Sequence, residues 1–186
     1  MTMTKTEAAA ALAAVEQTEA ASSLLQRYRH AAPYFELWGL VWVVGYGCTW
    51  LMPERVNLVW LLAVAGGMVG QGLLVQRSAT AHAAGARGAG WRSAALCVLL
   101  FVFFIGTQLL FQPTNPAAAG AFAPLCCGVA YAACGLWFGT RFLVTGMVVI
   151  AVTLAGFLWM PSQFALWMAL CGGGALLLTG QWLRRA

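Results

Sequence analysis

Six apolar blocks dictate most of what this chain can become. They cover residues 35–52, 58–75, 93–111, 120–139, 142–160 and 164–183. Each is about 18–20 residues long, or roughly 27–30 Å of α-helix, which matches a bilayer hydrocarbon core of about 30 Å. A segment crossing lipid finds no external partners for its N–H and C=O groups, so it must be a helix or part of a closed barrel. Barrel strands are shorter and alternate in polarity, and none of the six blocks alternates. The blocks therefore predict an all-α, polytopic integral membrane protein with six transmembrane helices in three hairpins.

The charge inventory agrees. Of 186 residues, 62% are hydrophobic and only 8% are charged. A soluble domain carries about 25% charged residues, and so few charges leave too little to coat a water-facing surface. The net charge of +5 comes from cations scattered between apolar blocks. They form no continuous basic stripe, so nucleic acid is excluded as a partner.

Turn chemistry separates the blocks. Met52-Pro53-Glu54-Arg55 and Met160-Pro161-Ser162-Gln163 each end a helix with proline, and Gln112-Pro113-Thr114-Asn115-Pro116 does so twice. The weakest break is Gly139-Thr140-Arg141. The 41 residues from 120 to 160 are too many for one crossing, so a charged turn divides them. The longest connection, 76–92, is rich in Ala, Gly and Arg.

Orientation follows from the cations. With a cytoplasmic N-terminus, nine of the ten fall in cytoplasmic segments (Lys5, Arg27, Arg29, Arg77, Arg87, Arg92, Arg141, Arg184 and Arg185), and only Arg55 falls outside. This is the bias of cytoplasmic loops. It predicts a multi-pass protein of the bacterial inner membrane with both termini in the cytoplasm. Trp50, Trp60, Trp91, Trp137, Trp159 and Trp182 lie near block ends, where an aromatic belt would place them.

Residues 1–32 differ in character. They lack the apolar stretch of a secretory signal. Thr4-Lys5-Thr6-Glu7 fits a capping box, and good helix formers follow with a thin stripe of Leu12, Val15, Leu24, Leu25 and Tyr28. The expectation is a cytoplasmic or interfacial helix of residues 1–32 ahead of a six-helix domain of residues 33–186. Such a helix either simply leads into the membrane or docks a partner. The first and third hairpins also share a run of landmarks: a Met-Pro turn, a tryptophan soon after it, then paired glycines and terminal arginines. Duplicated hairpins produce this order, and so does chance among simple apolar helices.

Chemistry-bearing residues are sparse. There is no Asp and there are five Glu, and no nucleophile elbow, phosphate loop or zinc motif is present. No catalytic or metal-binding residue and no cofactor is assigned. Cys48, Cys97, Cys126, Cys127, Cys134 and Cys171 all lie in apolar blocks, where free Cys packs as a small hydrophobe. Cys127 and Cys134, with Met147, Met160 or Met168, are the one set of soft ligands a copper(I) site could draw on. His30 and His82 lie outside the apolar blocks, which disfavours haem between helices.

The candidate sites are polar groups within or beside the membrane, and packing positions. Polar groups there are functional candidates by default. Glu36 stands at the mouth of the first block, with Arg92 or Arg141 as expected partners, and Gln71 and Gln108 lie toward block ends. Gly66 and Gly70 form a small-xxx-small motif for helix packing, within the bundle or between two copies. Arg87 and Arg92 suit anionic lipid headgroups. The functional expectation is a non-enzymatic membrane protein, an accessory, sensor or regulatory subunit acting by association. Its partners would be membrane lipids and a cytoplasmic protein or a second copy. The alternative is a small channel or transporter for a neutral or apolar solute.

Overall fold

The computed structural model describes residues 5–81, 98–99 and 102–185, and all regular structure within them is helical. Helix α1 spans Lys5–Leu51, α2 Val56–Ala81, α3 Val102–Phe111, α4 Pro116–Phe138 and α5 Thr140–Trp159. Helix α6 is the helical run Pro161–Arg184. Within α6, Met168–Gly172 forms a π-helical turn between α-helical Phe164–Trp167 and Gly173–Arg184. Four helical segments are long and apolar enough to cross a membrane: Pro53–Arg77, α4, α5 and α6.

Helix boundaries follow local chemistry. The two Met-Pro turns take nearly the same course. Met52 and Met160 both have φ −134° with ψ of 66° and 49°, and each leads through a short 3-10 turn into the next helix. Asn115 caps α4, its side chain accepting from the Ala117 N–H at 2.9 Å, and Pro116 fills the first helical position. Gly139 joins α4 to α5 at φ +119°, a conformation a side chain would resist.

Helix α1 is the axis of the bundle. Its 47 residues form one helix about 70 Å long that runs through Pro33 without interruption. The first apolar block is thus the distal part of a rod whose proximal part stands clear of the bundle. Residues 14–19 and 21–23 are exposed, and Tyr28 is the first buried side chain among the described ones. Trp38, Trp42, Trp50, Tyr46 and three glycines dilute the hydropathy of this block. The third block is described only in part, as α3.

Close approach of backbones holds the helices together. Lipid offers helices little hydrophobic incentive to associate, so dispersion at short range must supply it. A Cβ added at Gly128 would lie 2.8 Å from Ile150 and 3.1 Å from the Gly146 carbonyl. One at Gly146 would collide with the backbone of Ala132, so α4 and α5 touch main chain to main chain. On the other side, a Cβ at Gly173 would meet the Val43 side chain at 2.6 Å and the Gly39 carbonyl at 3.1 Å, and one at Gly180 would lie 3.0 Å from the Ala32 carbonyl. These contacts seat α6 against α1.

Aromatic side chains fill the space that remains. Tyr46 packs edge-on against Trp42, Trp60 and Phe164, with centroids 6.1, 4.8 and 6.2 Å away, and donates its hydroxyl to the Gly120 carbonyl at 2.7 Å. Trp167 donates to the Val152 carbonyl at 2.9 Å, tying α6 to α5. Buried Thr153 returns its hydroxyl to the Val149 carbonyl of its own helix at 2.7 Å.

Large apolar side chains cover much of the outer surface. Leu61, Leu62, Val69, Leu109, Leu110, Leu136, Leu158, Leu170 and Leu178 are each more than 60% exposed. Water would not tolerate such a surface on a monomer. Helices α2 and α3 lie at the periphery, where α3 leans on α4 through Phe104 and Phe122, stacked at 6.1 Å.

The α4–α5 contact yields a test. Gly146→Ala places a methyl where the Ala132 backbone now lies, so the helices must separate. The expected loss is about 1–3 kcal/mol, read as a fall in unfolding midpoint in detergent. Gly174→Ala, where nothing lies within 4 Å of the added carbon, should leave the midpoint unchanged.

Candidate functional site

The end of the bundle that carries the N-terminal arm holds its salt bridge and its cation–π contacts. Glu36 of α1 and Arg184 of α6 form a salt bridge there, with the Glu36 side chain 24% exposed and that of Arg184 59% exposed. The partner is thus Arg184. Arg92 lies outside the described residues, and Arg141 is engaged elsewhere. The pair can form because Gly180 lets α6 approach α1 beside Glu36. An ion pair this open to solvent contributes at most about 1 kcal/mol.

Arg141 is held by a different arrangement. Its guanidinium lies over the Tyr28 ring at 5.2 Å and over the Trp182 ring at 4.7 Å, and it donates to the Trp182 carbonyl at 2.7 Å. That carbonyl belongs to the last turn of α6, which has no further helical N–H to accept from. One side chain therefore joins three helices: α5 supplies it, α1 stacks on it and α6 is capped by it. Tyr28 also packs on Phe142 at 5.7 Å, and Phe35 on Tyr131 at 4.9 Å. Leu24 and Tyr28 crowd the Gly139 turn closely enough that a Cβ there would strike both.

The remaining candidate residues sit elsewhere. Gln71 of α2 accepts from the Trp38 indole N–H of α1 at 2.9 Å. Gln108 of α3 donates to the Ala119 carbonyl of α4 at 3.3 Å, beside a shallow recess of about 240 Å³ lined by Thr107, Phe111, Pro113, Ala118 and Phe122. Gly70 faces α1, where an added Cβ would lie 2.9 Å from Leu37, and its neighbour Gly67 faces Val41 and Trp38. Gly66 faces open space, so the α1–α2 contact runs through Gly67 and Gly70. Arg87 lies outside the described residues, as do Cys97 and His82.

The members of the soft-ligand set differ widely in burial. Met168 is fully buried, Met147 and Met160 are 55% and 43% exposed, and Cys127 packs on the aromatic core. Among the described residues, no three His, Cys, Asp or Glu side chains converge as a metal site would need. Cys48, Cys126, Cys127, Cys134 and Cys171 are free thiols.

Two contacts escaped sequence reading. Arg184 already stood among the cations expected on the cytoplasmic side, but several arginines share that expectation and spacing alone does not choose between them. The Tyr28–Arg141–Trp182 stack had a weak signal in the placement of an arginine and a tryptophan at neighbouring helix ends.

The Trp38–Gln71 bond is open to measurement. Trp38→Phe keeps an aromatic ring and removes that donor. Bonds between membrane helices average about 0.6 kcal/mol and reach roughly 1.7, so a loss in that range is expected in detergent-denaturation titrations. A variant as stable as its parent would show that the bond contributes nothing to α1–α2 packing. No family model, curated protein or solved structure matches this chain.

Proposed function

We propose that this protein is a six-span protein of the bacterial inner membrane that works by association, as an accessory, sensor or regulatory subunit. Its three hairpins leave both termini in the cytoplasm, and the free arm of α1 carries the contact to a protein partner. Support for six spans comes from the block lengths and from four helices of spanning length and hydropathy. The first span would be the part of α1 after Pro33, and the third would include α3. Nine cations on one side against one on the other support the orientation.

The observation that carries the functional reading is the arm itself. Leu12 and Val15, three residues apart and so on one face, are 60% and 53% exposed on a helix that extends well beyond the buried part of α1. Ala-rich helix with a thin apolar stripe is poor material for deep lipid insertion and suitable for laying against another helix. Its base is fixed by Tyr28 and Leu24, so an event at the arm reaches α4 and α5 directly.

A second reading, a small facilitator for a neutral or apolar solute, draws on the π-helical turn Met168–Gly172 beside Trp42, because such turns recur at functional sites.

One experiment addresses both readings. Native mass spectrometry of the protein released from mild detergent should report an assembly larger than one chain. Leu12→Glu with Val15→Glu should collapse it to a monomer while the unfolding midpoint stays within about 0.5 kcal/mol of the parent, as surface changes do. A parent that is already monomeric and retains a neutral small molecule would favour the facilitator. Orientation is checked separately with a reporter fused after Ala186, which should be active only in the cytoplasm.

A further inference from the structure

The arm end of the bundle holds more positive charge than its own carboxylates neutralise. Glu36 is the carboxylate on this rim, and Arg184 engages it. Glu16 and Glu19 lie farther out on the arm, about 12 Å or more along the helix from Arg27. Glu54 is at the opposite end, beside the Met52-Pro53 turn. No carboxylate among the described residues pairs with Arg141, whose contacts are two aromatic rings and one carbonyl. Arg27, next to Tyr28, and Arg185, next to Arg184, are both exposed. A guanidinium has five N–H donors, and the bond to Trp182 uses one. The rings of Tyr28 and Trp182 and the Trp182 carbonyl orient the Arg141 guanidinium, so its remaining donors engage a ligand with less further loss of side-chain freedom.

We propose that this rim, formed by Arg141, Arg184 and Arg185 with Arg27, binds the phosphodiester headgroup of an anionic phospholipid of the cytoplasmic leaflet, and that Trp182 lies along the upper part of its acyl chains. Charge complementarity and chemistry both select that occupant. Guanidinium groups recognise phosphate oxygens through paired N–H donors. Trp182 is 42% exposed, and an indole favours the boundary between headgroups and chains. The apolar flank below, with Val144 and Leu178 outward and 48% and 66% exposed, is suited to lipid chains. A soluble anion would use the arginines and gain nothing from that flank. The choice of leaflet, though not the site itself, rests on the proposed orientation of this rim toward the cytoplasm.

The test uses the full chain in a neutral detergent, titrated with dioleoylphosphatidylglycerol, dioleoylphosphatidylcholine or inorganic phosphate. Retained lipid is counted by native mass spectrometry, and the thermal midpoint is followed in parallel. Phosphatidylglycerol should be retained and should raise the midpoint, whereas phosphatidylcholine and inorganic phosphate should do neither. A basic residue near an anionic surface is worth about 1 kcal/mol, or about fivefold in affinity. Arg185→Gln should therefore weaken phosphatidylglycerol about fivefold, and Arg27→Gln with Arg185→Gln further, both without touching the Arg141 stack. Arg141→Lys, which keeps the charge and gives up the planar fork, should fall between the parent and Arg141→Gln. Equal retention of the two lipids would overturn the proposal, as would unchanged retention in the Arg27/Arg185 pair or equal stabilisation by inorganic phosphate. Micelles have no sidedness, so retained lipid together with a periplasmic reporter at Ala186 would overturn the orientation and leave the lipid site standing.

Discussion

Backbone-to-backbone contact at glycine is the constraint on which the rest of this bundle depends. In lipid, an outward leucine gains as much from acyl chains as it would from a neighbouring helix, so apolar area alone does not assemble the fold. The α4–α5 pair at Gly128 and Gly146, and the α1–α6 pair at Gly39, Gly173 and Gly180, supply short-range attraction that longer side chains would prevent. The polar links follow from that proximity. Tyr46 reaches the Gly120 carbonyl and Trp167 the Val152 carbonyl because the main chains already lie close, and both bonds fall under 3 Å.

Helix α1 gives the assembly its mechanical character. Its distal half contacts α2, α4 and α6, and its proximal half stands free, with Tyr28 at the junction. Pro33 lies just past that junction. A proline inside a helix removes one backbone bond, so the rod is weakened next to the point where the Tyr28–Arg141–Trp182 stack clamps it. The clamp offsets the missing bond: Arg141 caps α6 while filling the space beside α1.

Local structure was legible in the sequence where local chemistry decides it. The Met52-Pro53 and Met160-Pro161 turns, the Asn115-Pro116 start of α4 and the Gly139 break all lie where proline, asparagine and glycine place them. Facing was not legible. In a soluble helix, the apolar stripe names the buried side; here every side is apolar, and Gly66 and Gly67 differ only by one step of about 100° around α2. Gly67 meets α1 and Gly66 meets nothing, a distinction no hydropathy pattern carries. Long-range pairing was equally hidden. Glu36 selects Arg184 across 148 residues because Gly180 admits the approach, and that depends on the crossing of two helices rather than on any spacing. The continuity of α1 through Pro33 was masked by a composition change near that residue, which reads as a division of the chain although the helix continues.

The π-helical turn in α6 has a consequence for the phase of that helix. One additional residue in the turn advances everything after it by about 100° relative to an uninterrupted α-helix. Before the turn, Trp167 looks toward α5; after it, Gly173 and Gly180 look toward α1. Deleting a single residue between Met168 and Gly172 would let the turn relax to regular α-helix with both flanking segments keeping their facings, whereas winding the intact sequence as uninterrupted α-helix would rotate Gly173 and Gly180 by about 100° away from α1. The turn is therefore a phase shifter, letting one helix satisfy two neighbours that a uniform helical repeat could not serve together.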